Sequence, residues 1–157
     1  MYGEYFFIIF ATKKSRLQTK QQPQRMKKQK IIIEHELRSN SQPIIWQLIS
    51  TPEGLARWIA DDVQQDGDTI TFTWGEVWKH HETRQAVIIE TERNHRFRMR
   101  WADESDEEAY LELRMEHSNI TNDYILSITD YALEEDVDTL YDLWDDNLNR
   151  LRHSTGL

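Results

Sequence analysis

The sequence predicts an α+β fold in which a curved antiparallel sheet of six to seven strands wraps around one long C-terminal helix, with two short helices after the first strand. Three observations carry this. Several runs alternate apolar and polar residues with period two, clearest at Thr69–Trp74, Arg96–Trp101 and Leu111–Glu116. Two consecutive short segments each begin with Ser or Thr beside a proline and carry a helical apolar stripe. The last 24 or so residues hold one long amphipathic pattern, acidic at its start and basic at its end.

The elements follow in order. Ile31-Ile32-Ile33-Glu34-His35-Glu36-Leu37 is rich in β-branched residues and then alternates, as a strand does. Pro43 sits in the first turn of a helix capped near Ser41, and Ile45, Leu48 and Ile49 form its stripe. Ser50-Thr51-Pro52-Glu53 restarts a helix in capping-box style, with Leu55, Trp58 and Ile59 repeating the stripe. Asp66-Gly67 signals a hairpin between Asp62–Gln65 and Thr69–Trp74, whose Ile70, Phe72 and Trp74 share one face. Residues 77–92 read as extended, and Ala86-Val87-Ile88-Ile89 breaks the alternation, which a bulge or burial on both faces explains.

Arg93-Asn94 turns the chain into a strand with Phe97, Met99 and Trp101 inward and Arg96, Arg98 and Arg100 outward. After the acidic loop Asp103–Glu108, Leu111, Leu113 and Met115 face inward while Glu112, Arg114 and Glu116 face outward. Outward Arg and Glu on neighbouring strands predict a cross-strand charge ladder. Asn119–Asn122 is a turn and Asp123–Tyr131 the last strand. Glu134, Glu135 and Asp136 then open the closing helix, Arg150, Arg152 and His153 end it, and Gly156 lies beyond. Val137, Leu140, Tyr141, Trp144, Leu148 and Leu151 make its apolar face. A meander of strands needs one face covered, and only this helix has a sufficient stripe. The result is a helix-grip arrangement, with room for an apolar ligand between sheet and helix.

Composition narrows the function classes. The chain has 157 residues, no cysteine, 17 aromatics and a formal charge of −9. Disulfide scaffolds, thiolate catalysis and cysteine-ligated metals are excluded. Charge is divided unevenly: residues 1–30 carry eight bases and one acid, whereas residues 31–157 carry 11 bases and 27 acids. The acidic body is a poor partner for nucleic acid or anionic membrane. The apolar run 5–11 is too short to span a bilayer and follows Glu4 rather than a basic residue, so it reads as neither a span nor a leader. The chain accordingly reads as cytoplasmic. Residues 1–26 are expected to be a poorly structured basic extension, with Met26 as the natural start, and residues 27–157 the folded domain. A basic arm for an acidic partner is the alternative for that segment.

The stretch Ile45-Trp46-Gln47-Leu48-Ile49-Ser50-Thr51-Pro52-Glu53-Gly54-Leu55-Ala56-Arg57-Trp58 resembles the two-helix signature of the START-like superfamily, in its branch close to activators of heat-shock-protein ATPase. Trp58-Ile59-Ala60-Asp61-Asp62-Val63, Phe72-Thr73-Trp74, Phe97-Arg98-Met99-Arg100-Trp101, Thr121-Asn122-Asp123, Ile128-Thr129-Asp130, Leu143-Trp144-Asp145 and Asn147-Leu148 resemble a bacterial START-like family. The resemblance covers residues 27–157. It implies a helix-grip fold and a hydrophobic-ligand cavity, with lipid-like molecules in scope. It carries over no catalytic residue and no cofactor.

The candidate cavity wall is Phe72, Trp74, Trp78, Phe97, Met99, Trp101, Leu113, Met115, Tyr141 and Trp144. The same residues fit a packed core, since aromatic and Met side chains at strand spacing usually pack together. No metal site is assigned: no two histidines have helical i, i+4 spacing, and His80 and His81 point to opposite faces of a strand. The loop Asp103–Glu108 lacks the ligand pattern of a calcium loop. Gly-rich phosphate loops and serine-hydrolase elbows are missing. The expected role is binding of a small hydrophobic molecule. The alternatives are a protein-interaction or chaperone-cofactor module using the acidic surface, and a cyclase- or dehydratase-like enzyme using His80, Glu82 and Tyr141.

Overall fold

The computed structural model describes residues 27–76 and 78–157. In chain order it contains β1 (Gln29–Glu36), α1 (Gln42–Ser50), α2 (Pro52–Leu55), β2 (Asp62–Asp66), β3 (Thr69–Gly75), β4 (His81–Glu92), β5 (Arg96–Trp101), β6 (Leu111–His117), β7 (Tyr124–Ala132), a single 3₁₀ turn (Glu134–Asp136) and α3 (Val137–Thr155). The strands form one antiparallel sheet ordered β1-β7-β6-β5-β4-β3-β2. Consecutive strands pair from β2 to β7, and β1 returns to the open side of β7. The expectations for residues 1–26 lie outside the described residues.

Local chemistry explains the boundaries. Gly67, Asn94 and Asn122 take positive φ at the β2–β3, β4–β5 and β6–β7 hairpin turns, where a left-handed residue is needed. The break in alternation in β4 is a bulge. Its register against β5 shifts between Ile88 and Glu90, which leaves Ile89 unpaired and half exposed and bends the sheet. Thr51, rather than Ser50, caps α2, accepting a hydrogen bond from the Gly54 N–H at 3.0 Å. Ser50 instead donates its hydroxyl to the Trp46 carbonyl, so the cap shifts by one residue and, with Gly54 three after Thr51, the expected capping box does not form. The acidic triplet Glu134–Asp136 forms its own 3₁₀ turn ahead of α3. Gly156 closes α3 in the left-handed conformation, its N–H bonded to the Arg152 carbonyl.

Register sorts the two faces of the sheet. Ile31, Ile33 and His35 of β1 stand opposite Asp130, Ile128 and Leu126 of β7. Leu113 and Met115 stand opposite Ile128 and Leu126, Phe97 opposite Leu113, and Met99 opposite Leu111. Phe72 stands opposite Val63 and Arg84, and Trp74 opposite Glu82. These residues form one inner face, and α1, α2 and α3 supply the rest of a single core around Ile45, Leu55, Trp58, Leu143 and Trp144.

The outer face carries the charge ladder. Arg98 donates to Glu112 directly across the β5–β6 pair at 3.0 Å. Arg96 faces Arg114 in register, a repulsive pair, and turns instead to Glu90 at 2.6 Å. Glu112 points outward as expected, yet only 4% of it is exposed, since Arg98 and Arg96 lie over it.

Two of the expected cavity residues stand elsewhere. Trp78 is 80% exposed. The extended run begins at His81, and residues 78–80 form the β3–β4 turn, so Trp78 projects from a connection instead of a strand. Tyr141 is 40% exposed. The buried stripe of α3 is Leu140, Leu143, Trp144, Asn147, Leu148 and Leu151. At about 100° per residue, Tyr141 sits roughly a right angle from the centre of that stripe.

Candidate functional site

The inner face and α3 enclose a mainly aromatic interior. β3 contributes Phe72 and Trp74, β5 contributes Phe97, Met99 and Trp101, β6 contributes Leu113 and Met115, and α3 contributes Trp144; all eight are buried. Phe72 stacks on Trp74 at 6.1 Å and meets Trp101 edge-on at 5.4 Å. Trp144 packs on Trp58 of the corner after α2, at 6.0 Å. Arg84 caps this end, its guanidinium 4.1 Å from the Trp101 ring and hydrogen-bonded to Asp103.

Each of the deepest indoles is anchored. Trp58 donates to the Leu48 carbonyl at 3.0 Å, which ties the corner to α1. Trp74 donates to the Ile59 carbonyl at 2.8 Å. Trp144 donates to the Asp130 carboxylate at 2.9 Å, which ties α3 to the sheet. A buried indole is stable only with its N–H paired, and each pairing here fixes a ring plane as well.

Asp130 is the ionisable group of this interior. Its Oδ2 accepts from Trp144 and its Oδ1 from the Tyr131 N–H. Burial pushes its carboxyl up to about 6; the two hydrogen bonds, and the charges of Arg84 and Lys28, oppose that rise. The Lys28 ammonium itself is held by Glu104 at 2.7 Å, and the Lys28 N–H by Asp106. The acidic loop 103–108 is therefore pinned to the start of β1. At the other end of the sheet, burial lowers the His35 pKa, opposed by the Leu157 backbone.

Asn147 differs from all of these. It is 0% exposed, in the middle of the buried stripe of α3, one turn beyond Trp144. Neither its Oδ1 nor its Nδ2 has a hydrogen-bond partner. Helix α3 runs from the Asp130–Trp144 bond toward the His35 end of β1, where Leu157 lies. The inner-face positions between those two ends are Ile33, Ile128 and Leu113. An amide so fully buried has lost water at both of its polar atoms, at a cost of about 1–3 kcal/mol for each unsatisfied group.

Sequence reasoning missed Asp130 and Asn147 as site residues. The signal was present for both. Asp130 continues the period-two series Leu126, Ile128, and Asn147 stands three after Trp144 and four before Leu151. Their polarity sets them apart from the apolar residues that define each stripe. The residues considered for enzyme chemistry are not gathered inside. The His80 side chain is exposed and 3.4 Å from Glu82 at the β3–β4 turn, and Tyr141 lies on the flank of α3. Among the described residues, no three His, Asp or Glu side chains come together as a metal ligand set, and no helix is long and apolar enough to cross a membrane.

A seven-stranded antiparallel sheet with two short helices after β1 and one long helix laid on its inner face defines the helix-grip class. The chain belongs to the family described as START-like superfamily domain, whose profile matches residues 25–157. Among solved structures, a Bacteroides fragilis protein determined by solution NMR (BfR322) is 41% identical, with 82% of this chain and 91% of that chain covered and a TM-score of 0.55. The Aha1 dimer from Colwellia psychrerythraea shares the fold at 18% identity and a TM-score of 0.62, with 82% and 98% covered. The AHSA1-like protein from Aeromonas hydrophila does so at 11% identity and a TM-score of 0.61, with 80% and 93% covered. A comparison with curated proteins gives no match.

Proposed function

We propose that this START-like domain binds a small hydrophobic molecule between the inner face of its sheet and α3. The observation that carries the reading is Asn147. A fully buried amide with both polar atoms unpartnered, amid apolar side chains, is a group waiting for a polar partner that the protein does not supply. The surroundings suit an apolar guest. Met99 and Met115 are unbranched and adapt their shape, and the Phe and Trp rings offer flat contact area. Asn147 is closed to solvent, so entry requires α3 to lift from the sheet.

The test is native mass spectrometry of gently purified protein, paired with titration of tryptophan fluorescence by lipids, sterols and aromatic compounds. A co-purifying small molecule, or saturable quenching through Trp144, Trp58 or Trp101, is the expected result. A ligand-free mass with no saturable quenching by any compound class removes the reading.

A further inference from the structure

The Asn147 amide says what kind of hydrophobic molecule suits this interior. A carboxamide presents one acceptor, Oδ1, and one two-proton donor, Nδ2, side by side in a plane. Both are unpartnered here, and both are enclosed. A ligand with only an acceptor pairs Nδ2 and leaves Oδ1 unsatisfied; a ligand with only a donor does the reverse. A group that offers donor and acceptor side by side satisfies both atoms at once, in a closed ring of two hydrogen bonds.

Charge narrows the class further. A carboxylate has acceptors only, and it would enter a domain whose residues 27–157 carry 14 bases and 27 acids. It would also share the interior with the Asp130 carboxyl, which stands on the same inner face and bonds Trp144, one helical turn from Asn147. An ammonium has no acceptor for Nδ2. Resting on the ligand-binding reading above, we propose that the ligand is an uncharged apolar molecule bearing a primary carboxamide or a cis-lactam, and that Asn147 is the residue that selects it through a paired donor–acceptor contact.

Three bicyclic probes of nearly equal size separate the possibilities: 2-quinolone, which carries a cis-lactam; 2-methoxyquinoline, which keeps the acceptors and loses the donor; and naphthalene, which has neither. Affinities are measured by ligand-observed NMR titration on the full chain, wild type and Asn147→Leu. Wild type is expected to bind 2-quinolone about tenfold more tightly than either comparison probe, as two added hydrogen bonds in a desolvated site would give. Naphthalene is the more hydrophobic compound, so burial alone predicts the opposite order. In Asn147→Leu the preference should vanish while naphthalene still binds. The Asn147 side-chain NH2 resonances of the wild type should shift with 2-quinolone and far less with naphthalene, a readout that needs no variant.

Equal or tighter binding of naphthalene by wild type overturns the selection by Asn147 and leaves the hydrophobic-ligand reading standing. A quinolone preference that survives in Asn147→Leu, or in Asn147→Ala if the leucine variant does not fold, assigns the selection to another group and overturns the proposal. Binding of none of the three overturns this proposal, while the reading beneath it stands or falls separately on the native mass and the quenching titration.

Discussion

The indole N–H of Trp144 donates to Oδ2 of Asp130 across 2.9 Å, joining the middle of the C-terminal helix to the inner face of β7. It is a buried polar bond between the two layers of the fold. Everything that shifts α3 against the sheet must stretch or break it.

Asp130 makes stability depend on pH in a defined direction. Its pKa rises from the ordinary 3.8 to about 6 on folding, because burial disfavours the carboxylate. The folded state therefore binds this proton more tightly than the unfolded state does. The stabilisation is complete below about pH 4 and is lost as pH rises through about 6, amounting to about 3 kcal/mol. Urea unfolding of wild type and Asp130→Asn across pH 4–7.5 isolates the contribution. The wild-type stability minus that of the variant should fall as pH rises; a difference that stays constant or rises contradicts the assignment.

Trp144→Phe keeps most of the ring and deletes the donor. It should cost about 2 kcal/mol, the penalty of an unpartnered buried acceptor together with lost packing. It should also steepen the loss of stability between pH 4 and 7, since Asp130 then ionises without its indole partner.

Gly54 lies where α2 crosses the end of α1. A Cβ there would overlap the Gln47 carbonyl and sit 2.7 Å from the Leu48 Cα, both backbone atoms that cannot swing aside. Gly54→Ala should destabilise the domain by about 3 kcal/mol, because two short helices must part. A thermal midpoint within a degree or two of wild type would show that the corner opens freely.

Glu112 tests the outer ladder. Arg98→Ala removes its 3.0 Å partner and leaves a nearly buried carboxylate with Arg96 at 3.9 Å. The expected cost is about 2 kcal/mol. Glu112→Gln removes the charge together with its need for a partner, so it should cost less than half as much in the same denaturation assay.

Asn147→Leu is expected to raise the stability of the ligand-free protein by about 2 kcal/mol, since it replaces two unsatisfied polar atoms by apolar ones of similar volume. Thermal unfolding after delipidation measures this. A drop in stability would mean that the amide contributes to the fold itself.

Much of the fold was legible residue by residue. Asp66-Gly67 and Arg93-Asn94 marked their hairpins because a left-handed turn needs Gly or Asn whatever surrounds it. Phe97-Arg98-Met99-Arg100-Trp101 sorted its two faces correctly because alternation follows from the pleat. The seven strand residues of the expected cavity wall that face inward are buried for the same reason, and Trp144 is buried because it falls on the apolar stripe of α3. One extended run over residues 77–92 would turn Trp78 inward; where a connection ends and pairing begins depends on the register of β3 against β4, which is set across the sheet.

The sequence by itself determined the order of elements, the strand faces and the two-helix corner, since these rest on local periodicity and turn chemistry; the family came from the resemblance of its motifs. Only the tertiary structure decided which polar residues lie inside. Asp130 and Asn147 fall on inward positions of their strand and helix periods, but periodicity does not say whether a polar group there finds a partner. Their burial, the pairing of one and the orphaning of the other, exist only because α3 is laid on β7 and its neighbours. Hydrogen-bond satisfaction depends on what stands opposite a side chain, and no local pattern carries that information.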